Sequence, residues 1–465
     1  MSDRIPILAV AGRPVLHSLS PVIFRELFRA SGTRAAYTRL AAEDAAEAIS
    51  IFRALGMRGM NLTAPLKETA AALLGAGRGD ELAAEARGLG AVNCLVGLEG
   101  GRVRGANTDP QGVLGALRAR GVEIRGARCL VLGAGGAGKA AAFALKSAGG
   151  EVTIANRTRF RAEDAAAQLG CGAAALDGIA ELAASADIIA STLASDALPD
   201  PESWFPELGV GRSRLAVLDA DYKKGALAAY ASVRGAIVAS GTEWLLGQAL
   251  PAYELFMGAE ARSVSEAERE ALAALLGSAC REDAASAAAK AGKIALVGLM
   301  GSGKTAVGKA LASRMSLPFV DSDEEIVSEA AASIPEIFAR EGEDGFRARE
   351  ARAIDRISSR PGPAVIATGG GAPSSKSSAA LLAERCLPVW LYVTPKTAAE
   401  RSQRGPGGTA SRPLLAGWNP EERLGLLEAD RRGAYASLSE LVVSTEGRSS
   451  GEVAEIIHDE IGSLS

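Results

Sequence analysis

Two phosphate-binding loop patterns occur in this one chain of 465 residues, and they limit its fold more than any other feature. The first is GAGGAG at Gly133–Gly138, and the second is GLMGSGKT at Gly298–Thr305. A glycine-rich turn that leads into a helix lets a pyrophosphate lie on the helix N-terminus. The additional Lys and Thr of the second pattern suit a triphosphate and its magnesium ion. The chain is therefore predicted to join a dinucleotide-dependent enzyme to a kinase.

Short apolar runs alternate with helical patterns in both halves, which predicts an α/β fold. The length suggests about two to three domains of ~150 residues each. We predict an α/β substrate-binding domain at 1–108 and a Rossmann nucleotide-binding domain at 109–262, whose C-terminal helix returns to the substrate domain. An Ala/Glu/Ser-rich stretch at 263–291 is predicted as a linker. A P-loop domain of the nucleoside-monophosphate-kinase type is predicted at 292–465.

Composition excludes several classes of protein. The net charge of −4 provides no basic surface for nucleic acid. No long apolar stretch is free of charges, so no membrane partner is expected, and the N-terminus lacks the pattern of a signal peptide. Five cysteines are scattered singly, which favours a reducing, cytoplasmic location without disulfides. Two His and no CxxC pattern argue against a structural zinc ion.

The first loop follows the strand pattern Cys129–Leu132 and precedes a helix, with a second strand pattern at βαβ spacing. The predicted cofactor-binding residues of this loop are Gly133, Gly135, Gly136, Ala137 and Gly138. Asn156-Arg157-Thr158 ends the second strand, with Arg161 just beyond, where an NAD-binding domain usually carries an acid. Guanidinium groups can pair with a 2′-phosphate, so this segment predicts NADP. The alternative is that these are ordinary surface arginines.

Four further motifs precede the first loop, namely SLSP at Ser18–Pro21, NLTAPLK at Asn61–Lys67, GAVN at Gly90–Asn93 and NTD at Asn107–Asp109. With GAGGAG and NRT after them, their order resembles that of shikimate dehydrogenase. The resemblance extends to Gln248. The chain departs from the family pattern at Ser191–Leu193, at Lys223 and at Trp244.

By this resemblance, Lys67 and Asp109 form the catalytic pair. Hydride reduction of a ketone leaves an alkoxide, and a lysine ammonium held by a carboxylate can protonate it. Polar side chains that can bind a trihydroxy carboxylate stand at the family's substrate positions. These residues are Ser18, Ser20, Asn61, Thr63, Lys67, Asn93, Asp109, Tyr222 and Gln248.

The second loop predicts nucleoside triphosphate binding. The backbone of Gly301, Ser302 and Gly303 can hold phosphates, Lys304 can reach the β/γ oxygens, and the Thr305 hydroxyl can bind Mg²⁺. Two carboxylates, Asp321 and Asp323, end the next strand pattern, and one can serve the metal while the other serves the acceptor hydroxyl. An acidic helix start is the alternative interpretation of these acids.

The second half, from about Lys293 onward, resembles shikimate kinase in its phosphate loop, DxD, SIxEIF, FRxxE, GGG, RPLL and RxxxY elements, all in order. The resemblance implies that Lys304 and Asp323 act in catalysis, with Asp323 orienting the acceptor hydroxyl, which leaves Asp321 for the metal. It places Arg347, Gly370, Gly371 and Arg431 at the shikimate site. Arg412 would close over the phosphates and Arg404 would lie near the adenine.

Together the resemblances imply a bifunctional enzyme of chorismate and aromatic amino acid biosynthesis. It would reduce 3-dehydroshikimate to shikimate with NADPH and then phosphorylate shikimate with ATP and Mg²⁺. One alternative is a quinate/shikimate dehydrogenase that uses NAD, fused to the kinase. Another is a nucleotide sensor with one inactive half. A homodimer is one possible assembly.

Overall fold

The computed structural model describes residues 5–464 except 77–78, 194–196, 198–199, 207, 209–213, 222–224, 263, 405–411 and 416. The strands are β1 Ile7–Gly12, β2 Ala36–Ala41, β3 Gly59–Leu62, β4 Glu81–Leu82, β5 Cys94–Gly97, β6 Val103–Ala106, β7 Arg128–Leu132, β8 Glu151–Asn156, β9 Gly172–Ala175, β10 Ile188–Ser191, β11 Ala216–Asp219, β12 Ile237–Ser240, β13 Lys293–Val297, β14 Phe319–Asp321, β15 Ala364–Ala367, β16 Leu387–Tyr392 and β17 Leu441–Ser444.

The helices are α1 Ser20–Ser31, α2 Ala45–Ala54, α3 Leu66–Gly75, α4 Ala84–Leu89, α5 Asp109–Ala119, α6 Gly136–Ser147, α7 Arg159–Leu169, α8 Ile179–Ser185, α9 Pro201–Trp204, α10 Ala226–Val233, α11 Gly241–Met257, α12 Glu266–Lys290, α13 Lys304–Met315, α14 Ser322–Ala330, α15 Ile334–Ser359, α16 Lys376–Arg385, α17 Pro395–Arg404, α18 Pro420–Leu438 and α19 Ser450–Gly462. In the described part of the chain, none of them has both the length and the apolar character needed to cross a membrane.

The chain forms two compact units. Unit one contains Met1–Phe28, Gly32–Arg58 and Ser278–Ser465, whereas unit two contains Arg29–Ser31 and Gly59–Gly277. The predicted mixed α/β class is confirmed. The compact units group residues differently from the predicted domain boundaries, and the stretch predicted as a linker is largely helical, in α12. The boundaries themselves stay a prediction.

Unit one is built on parallel strands in the order β14-β15-β13-β16-β17-β2-β1. β16 reads as a continuous apolar run and all six of its residues are buried, as expected for a parallel strand covered on both faces. The phosphate loop follows β13, the central strand of the first five. β2 pairs with β17, with Val442 opposite Leu40 and Val443 opposite Ala41. The first βα elements of the chain therefore extend the sheet that carries the second loop.

Unit two contains a six-stranded parallel sheet in the order β12-β11-β10-β7-β8-β9. The order reverses at β7, which places the first glycine loop at the topological switch point where doubly wound folds bind dinucleotides. Four further strands of unit two, in the order β3-β5-β6-β4, carry residues that precede this loop. α11 packs against α5 and contacts β3 and β5. A Cβ on Gly112 of α5 would lie only 2.5 Å from Trp244 Cδ1, so close packing of these helices requires glycine there.

Candidate active sites

Lys67 and Asp109 lie together in unit two. Lys67 is the second residue of α3 and Asp109 is the first residue of α5. Lys67 Nζ donates to Asp109 Oδ2 over 2.6 Å, and the aspartate side chain is 3% exposed. A carboxylate in the first turn of a helix also interacts favourably with the helix dipole. The geometry therefore provides a lysine ammonium that a fixed carboxylate orients.

The other oxygen of Asp109 is bound as well. Asn93 Nδ2 lies 2.8 Å from Asp109 Oδ1 and 2.9 Å from Gln248 Oε1, so the predicted substrate residues Asn93 and Gln248 join the same network. The backbone is held too, because Asn107 Oδ1 accepts from Asp109 N and Trp244 Nε1 donates to Asp109 O. Asp109 is thus fixed through both carboxylate oxygens and both backbone groups.

The first glycine loop folds closely upon itself. Gly133 has φ 108°, and a Cβ on Gly138 would lie 2.0 Å from the Gly133 carbonyl oxygen. A Cβ on Gly135 would meet nothing within 4 Å, which leaves open space in front of the N-terminus of α6. A larger residue is therefore excluded at Gly138 by packing, while Gly135 leaves room for a phosphate.

Lys67 lies against this same loop. A Cβ built on Gly136 would lie 3.4 Å from Lys67 Cδ. Next to it, Lys139 Nζ forms an ion pair with Glu68 Oε1 at 3.1 Å. Lys67 and the first glycine loop therefore meet at one place in unit two.

The segment predicted to select NADP ends β8, which pairs with β7. Asn156 Nδ2 donates to Thr158 O over 3.0 Å, and Arg157, Thr158 and Arg161 are exposed. Parallel strands bring their carboxyl ends to one edge of the sheet, so this segment lies at the same edge as the glycine loop. Ala137 lies in the first turn of α6.

The remaining predicted substrate residues of the first half are distributed as follows. Asn61 is buried in β3, and its Nδ2 lies 3.3 Å from Cys94 Sγ, while Thr63 follows β3 and is partly exposed. Ser18 and Ser20 belong to unit one, where Ser20 begins α1. Tyr222 and the neighbouring Lys223 lie outside the described residues.

The second phosphate loop runs between β13 and α13 in unit one. Gly298, Gly301 and Gly303 have φ values of 144°, 83° and 88°. A Cβ on Gly301 would lie 2.4 Å from Ala398 O, so its neighbours leave no room for a side chain. Lys304 Nζ curls back to donate to Gly298 O and Leu299 O. A lysine that donates to its own loop in this way can exchange these carbonyl contacts for phosphate oxygens when a nucleotide binds.

The predicted metal residues are adjacent. Thr305 Oγ1 donates to Asp321 Oδ2 over 2.8 Å, and the other oxygen of Asp321 accepts from Asp323 N. A hydroxyl and a carboxylate are hard oxygen ligands, which Mg²⁺ prefers when phosphates and waters complete its octahedron. Among the described residues, no group of three or more His, Cys, Asp or Glu side chains forms a metal cage. The residues present therefore fit a nucleotide-bound magnesium ion.

Charged groups are unusually buried beside this loop. Burial lowers the pKa of Lys304 to about 8, although Asp323 and Asp321 oppose that shift. Burial, with the nearby Asp321 and Glu350, raises the pKa of Asp323 to about 6. Asp323 Oδ1 has no hydrogen-bond partner among the described residues. A carboxylate of near-neutral pKa with a vacant acceptor is suited to take a proton from a hydroxyl group.

Arg347 is held next to these acids. Its Nη1 donates to Glu350 Oε2 over 2.8 Å, and Glu350 is 1% exposed. A Cβ on Gly371 would lie 2.3 Å from Arg347 Nη1, and one on Gly369 would lie 2.1 Å from Glu350 Oε1. The glycines after β15 are therefore necessary because this arginine and this acid pack directly on their backbone.

Arg431 and Tyr435, both on α18, reach the same glycines. Arg431 Nη1 and Tyr435 Oη donate to Gly370 O over 3.3 and 2.6 Å. Arg431 joins Arg347, Asp323, Lys304 and others in lining a cavity of about 570 Å³. The predicted kinase residues therefore converge on one concave site.

Two further arginines were assigned to the nucleotide. Arg412 lines the cavity, and its buried Nε has no hydrogen-bond partner within the described ranges. Arg404, the exposed last residue of α17, is not among the described lining residues, whereas Arg401 of the same helix is. Arg401 is anchored by donating to Thr445 Oγ1 and Thr445 O. The role of Arg404 stays a prediction.

The structure adds positioning groups that sequence reasoning left without a role. Glu350 fixes Arg347, and its spacing of three residues along a helix could have indicated the contact. Trp244 appeared only as a departure from the family pattern, yet its indole holds the backbone of Asp109. Nothing in the sequence distinguishes Arg401 from other helical arginines.

Three family models match separate parts of the chain. They describe the shikimate dehydrogenase substrate-binding domain at residues 10–95, shikimate/quinate 5-dehydrogenase at 116–208 and shikimate kinase at 300–462. A shikimate dehydrogenase (NADP(+)) from Halobacterium salinarum is 39% identical over 261 residues, which cover 55% of this chain and 94% of the relative. A shikimate kinase from Symbiobacterium thermophilum is 45% identical over 165 residues, covering 35% of this chain and 93% of the relative.

A solved structure is also similar. The shikimate 5-dehydrogenase of Thermus thermophilus, in complex with NADP(H) and shikimate, aligns with a TM-score of 0.50 and 33% identity, covering 58% of this chain and 100% of that one. The sequence relatives match the two parts of the chain separately and over nearly their full lengths. The chain therefore belongs to the shikimate dehydrogenase family through its first part and to the shikimate kinase family through its second.

Proposed function

We propose that this chain is a bifunctional enzyme that reduces 3-dehydroshikimate to shikimate with NADPH and then phosphorylates shikimate with ATP. The observation that carries the proposal is that one chain holds both a lysine–aspartate pair against a dinucleotide loop and a phosphate loop beside a buried acid. The families support it, because the product of the first reaction is the acceptor of the second. Loss of one centre would have favoured a nucleotide sensor, and neither lacks its central residues.

In the reductase, the dinucleotide supplies a hydride to the carbonyl carbon of the substrate. Lys67 donates a proton from Nζ to the carbonyl oxygen as that oxygen gains negative charge. Asp109 keeps the ammonium aimed at the substrate, because its own position is fixed by Asn93 and by the start of α5. Asn93 and Gln248 offer further polar atoms for the substrate hydroxyls.

Cofactor choice rests on the end of β8. Arg157 and Arg161 are exposed at the sheet edge that carries the glycine loop, and no acid stands in Asn156-Arg157-Thr158. Two guanidinium groups there would attract a 2′-phosphate. NADP is therefore the proposed cofactor, as in the named relatives.

In the kinase, bound ATP supplies the γ-phosphoryl group and Mg²⁺ neutralises charge on its oxygens. Thr305 and Asp321 would hold that ion, and Lys304 would turn from the loop carbonyls toward the phosphates. Asp323 orients the acceptor hydroxyl and accepts its proton. Arg347 and Arg431, which line the same cavity as Asp323, bind the shikimate carboxylate.

A coupled assay tests the proposal. The full chain is incubated with 3-dehydroshikimate, NADPH, ATP and Mg²⁺, and products are identified by mass. We expect shikimate 3-phosphate, with shikimate accumulating when ATP is omitted. Parallel reactions with quinate and NAD⁺ examine the alternative dehydrogenase. Preferential oxidation of quinate with NAD⁺, or no turnover in either half, would contradict the proposal.

A further inference from the structure

Helix α18 presents two neighbouring rows of side chains to two different parts of unit one. Arg431 and Tyr435 form the first row, and both donate to Gly370 O at the wall of the kinase cavity. Glu428 and Arg432 form the second row, in which Arg432 Nη2 donates to Glu428 Oε2 over 2.6 Å. Residues four apart share one face of a helix, whereas adjacent residues lie about 100° apart around its axis. A rotation or shift of α18 therefore moves both rows together.

The second row contacts the end of α2, which lies far earlier in the chain. Arg432 Nη1 donates to the carbonyl oxygen of Leu55 over 2.9 Å. Leu55 caps the C-terminus of α2, and the last carbonyls of a helix lack partners within the helix and carry partial negative charge. One planar guanidinium therefore binds both this helix end and the buried acid Glu428.

α2 is a firm support for this contact because its first turn is held as well. Glu47 in that turn accepts from both terminal nitrogens of Arg448, and the contact of Nη2 with Oε2 measures 2.8 Å. The two side chains are 18% and 17% exposed. Arg448 follows β17, so arginines of the kinase-family segment fix both ends of α2. α18 also packs closely on the chain before β1, because a Cβ on Gly433 would lie 3.2 Å from Ile5 Cγ1.

We propose that Arg432 is a positioning residue for the kinase, because it fixes α18 against α2 and thereby holds Arg431 in the cavity. The inference rests on the proposed function, in which Arg431 binds the shikimate carboxylate. Both helices lie in unit one, yet α2 belongs to the part of the sequence that matches the dehydrogenase substrate-binding domain. Shikimate recognition by the kinase therefore requires a helix from that part of the chain. Arg432 is not among the described residues that line the cavity, so it acts through its neighbour.

The test uses the full chain and measures the KM values for shikimate and for ATP in shikimate phosphorylation. Arg432→Ala is expected to raise the KM for shikimate about 3- to 10-fold, because α18 loses its contact with α2 and Arg431 is displaced. The KM for ATP should change less than about twofold, since β13 and α13 carry the phosphate loop. Arg432→Lys keeps the charge and a donor for Leu55 O, so it should restore the shikimate KM to within about threefold of the parent.

Two further variants separate positioning from stability. Arg432→Ala also removes the cation that pairs with Glu428, and the loss of one partner of a buried ion pair is destabilising. The double variant Glu428→Leu with Arg432→Met removes both charges but still lacks the donor to Leu55 O, so it should raise the shikimate KM by a similar factor. Asp430→Ala changes an exposed acid of the same helix and should leave both KM values unchanged.

The outcomes distinguish this inference from the proposed function on which it rests. An unchanged shikimate KM in Arg432→Ala or in the double variant would overturn the inference. Equal rises of the KM values for shikimate and ATP would also overturn it, because they would indicate a general loosening of the kinase. Absence of shikimate phosphorylation in the parent chain would instead refute the proposed kinase.

Discussion

The two proposed catalytic centres differ in how their charged side chains are paired. In the dehydrogenase centre, Lys67 and Asp109 already bind one another, and both oxygens of Asp109 are bonded. In the kinase centre, Asp323 and Glu350 each keep a buried oxygen without a hydrogen-bond partner in the described part of the chain. The first centre is complete in its protein contacts, whereas the second retains unused acceptors and shifted pKa values.

The difference follows from what each reaction brings to the protein. Reduction creates a single negative oxygen, which one oriented ammonium can stabilise. Phosphoryl transfer brings several charges and a cation, so binding groups must be available before the ligand arrives. Buried unsatisfied groups are costly, and they persist where function needs them. We therefore expect the dehydrogenase to depend most on one pair and the kinase on several groups.

The largest expected effect tests how strongly the dehydrogenase depends on the Lys67–Asp109 pair. Lys67→Ala should slow reduction of 3-dehydroshikimate by ~10²–10⁴-fold, the usual contribution of a positioned acid–base group. NADPH binding, measured by fluorescence titration, should persist. Phosphorylation by the same chain should be unchanged and serves as the internal control, with Lys146→Ala as a matched lysine change elsewhere in the dehydrogenase half. Near-normal reduction by Lys67→Ala would show that another group donates the proton.

In the kinase, Asp323→Asn should reduce kcat by about 10²-fold, because the acceptor hydroxyl loses its base. The parent enzyme should lose kcat/KM as pH falls through about 6, since the raised pKa protonates Asp323 there. pH–rate profiles of the parent and of Asp355→Asn, in which an exposed acid is changed, should both show this acid limb, the loss of activity below about pH 6. A limb near pH 4 instead would mean that Asp323 titrates normally and that the contrast between the centres is weaker.

A smaller effect distinguishes shikimate binding from ATP binding in the kinase. Arg347→Ala should raise the KM for shikimate about 10- to 100-fold while changing the KM for ATP little, because a bidentate contact to a carboxylate is lost. Arg349→Ala is the matched control, since Arg349 lies on the same helix but pairs with Glu341. Equal weakening of shikimate and ATP would make Arg347 a structural residue.

The smallest effect concerns the dehydrogenase cofactor. Arg157→Asp should narrow the preference for NADP⁺ over NAD⁺ by about 10-fold, because repulsion replaces attraction at the 2′-phosphate. Arg159→Asp changes a neighbouring arginine that pairs with Glu163, and it should leave the preference largely intact. The ratio of kcat/KM for the two cofactors is the measurement. A preference that Arg157→Asp does not alter would assign selection to other residues.

The α/β class and both phosphate loops were predictable because each rests on local patterns of strand, glycine and helix. The Lys67–Asp109 contact was reached only through family resemblance, since the two residues are 42 positions apart. The pairing of β2 with β17 was not predicted, because nothing in two short apolar strands specifies a distant partner. Buried acids such as Glu350 are equally hard to recognise, since their burial depends on packing that the sequence does not display.

The pairing of β2 with β17 also has a consequence for synthesis. Thr38 contacts Ser439, which lies 401 residues later in the chain, so the ribosome synthesises Thr38 long before Ser439. At typical elongation rates, the delay is roughly 20–80 s. During that time β2 lacks its final neighbour β17, and an unpaired strand edge can pair with other chains and lead to aggregation. Gly59–Gly277, nearly all of unit two, is synthesised within this interval, so this unit can fold before the two ends of the chain pair with each other.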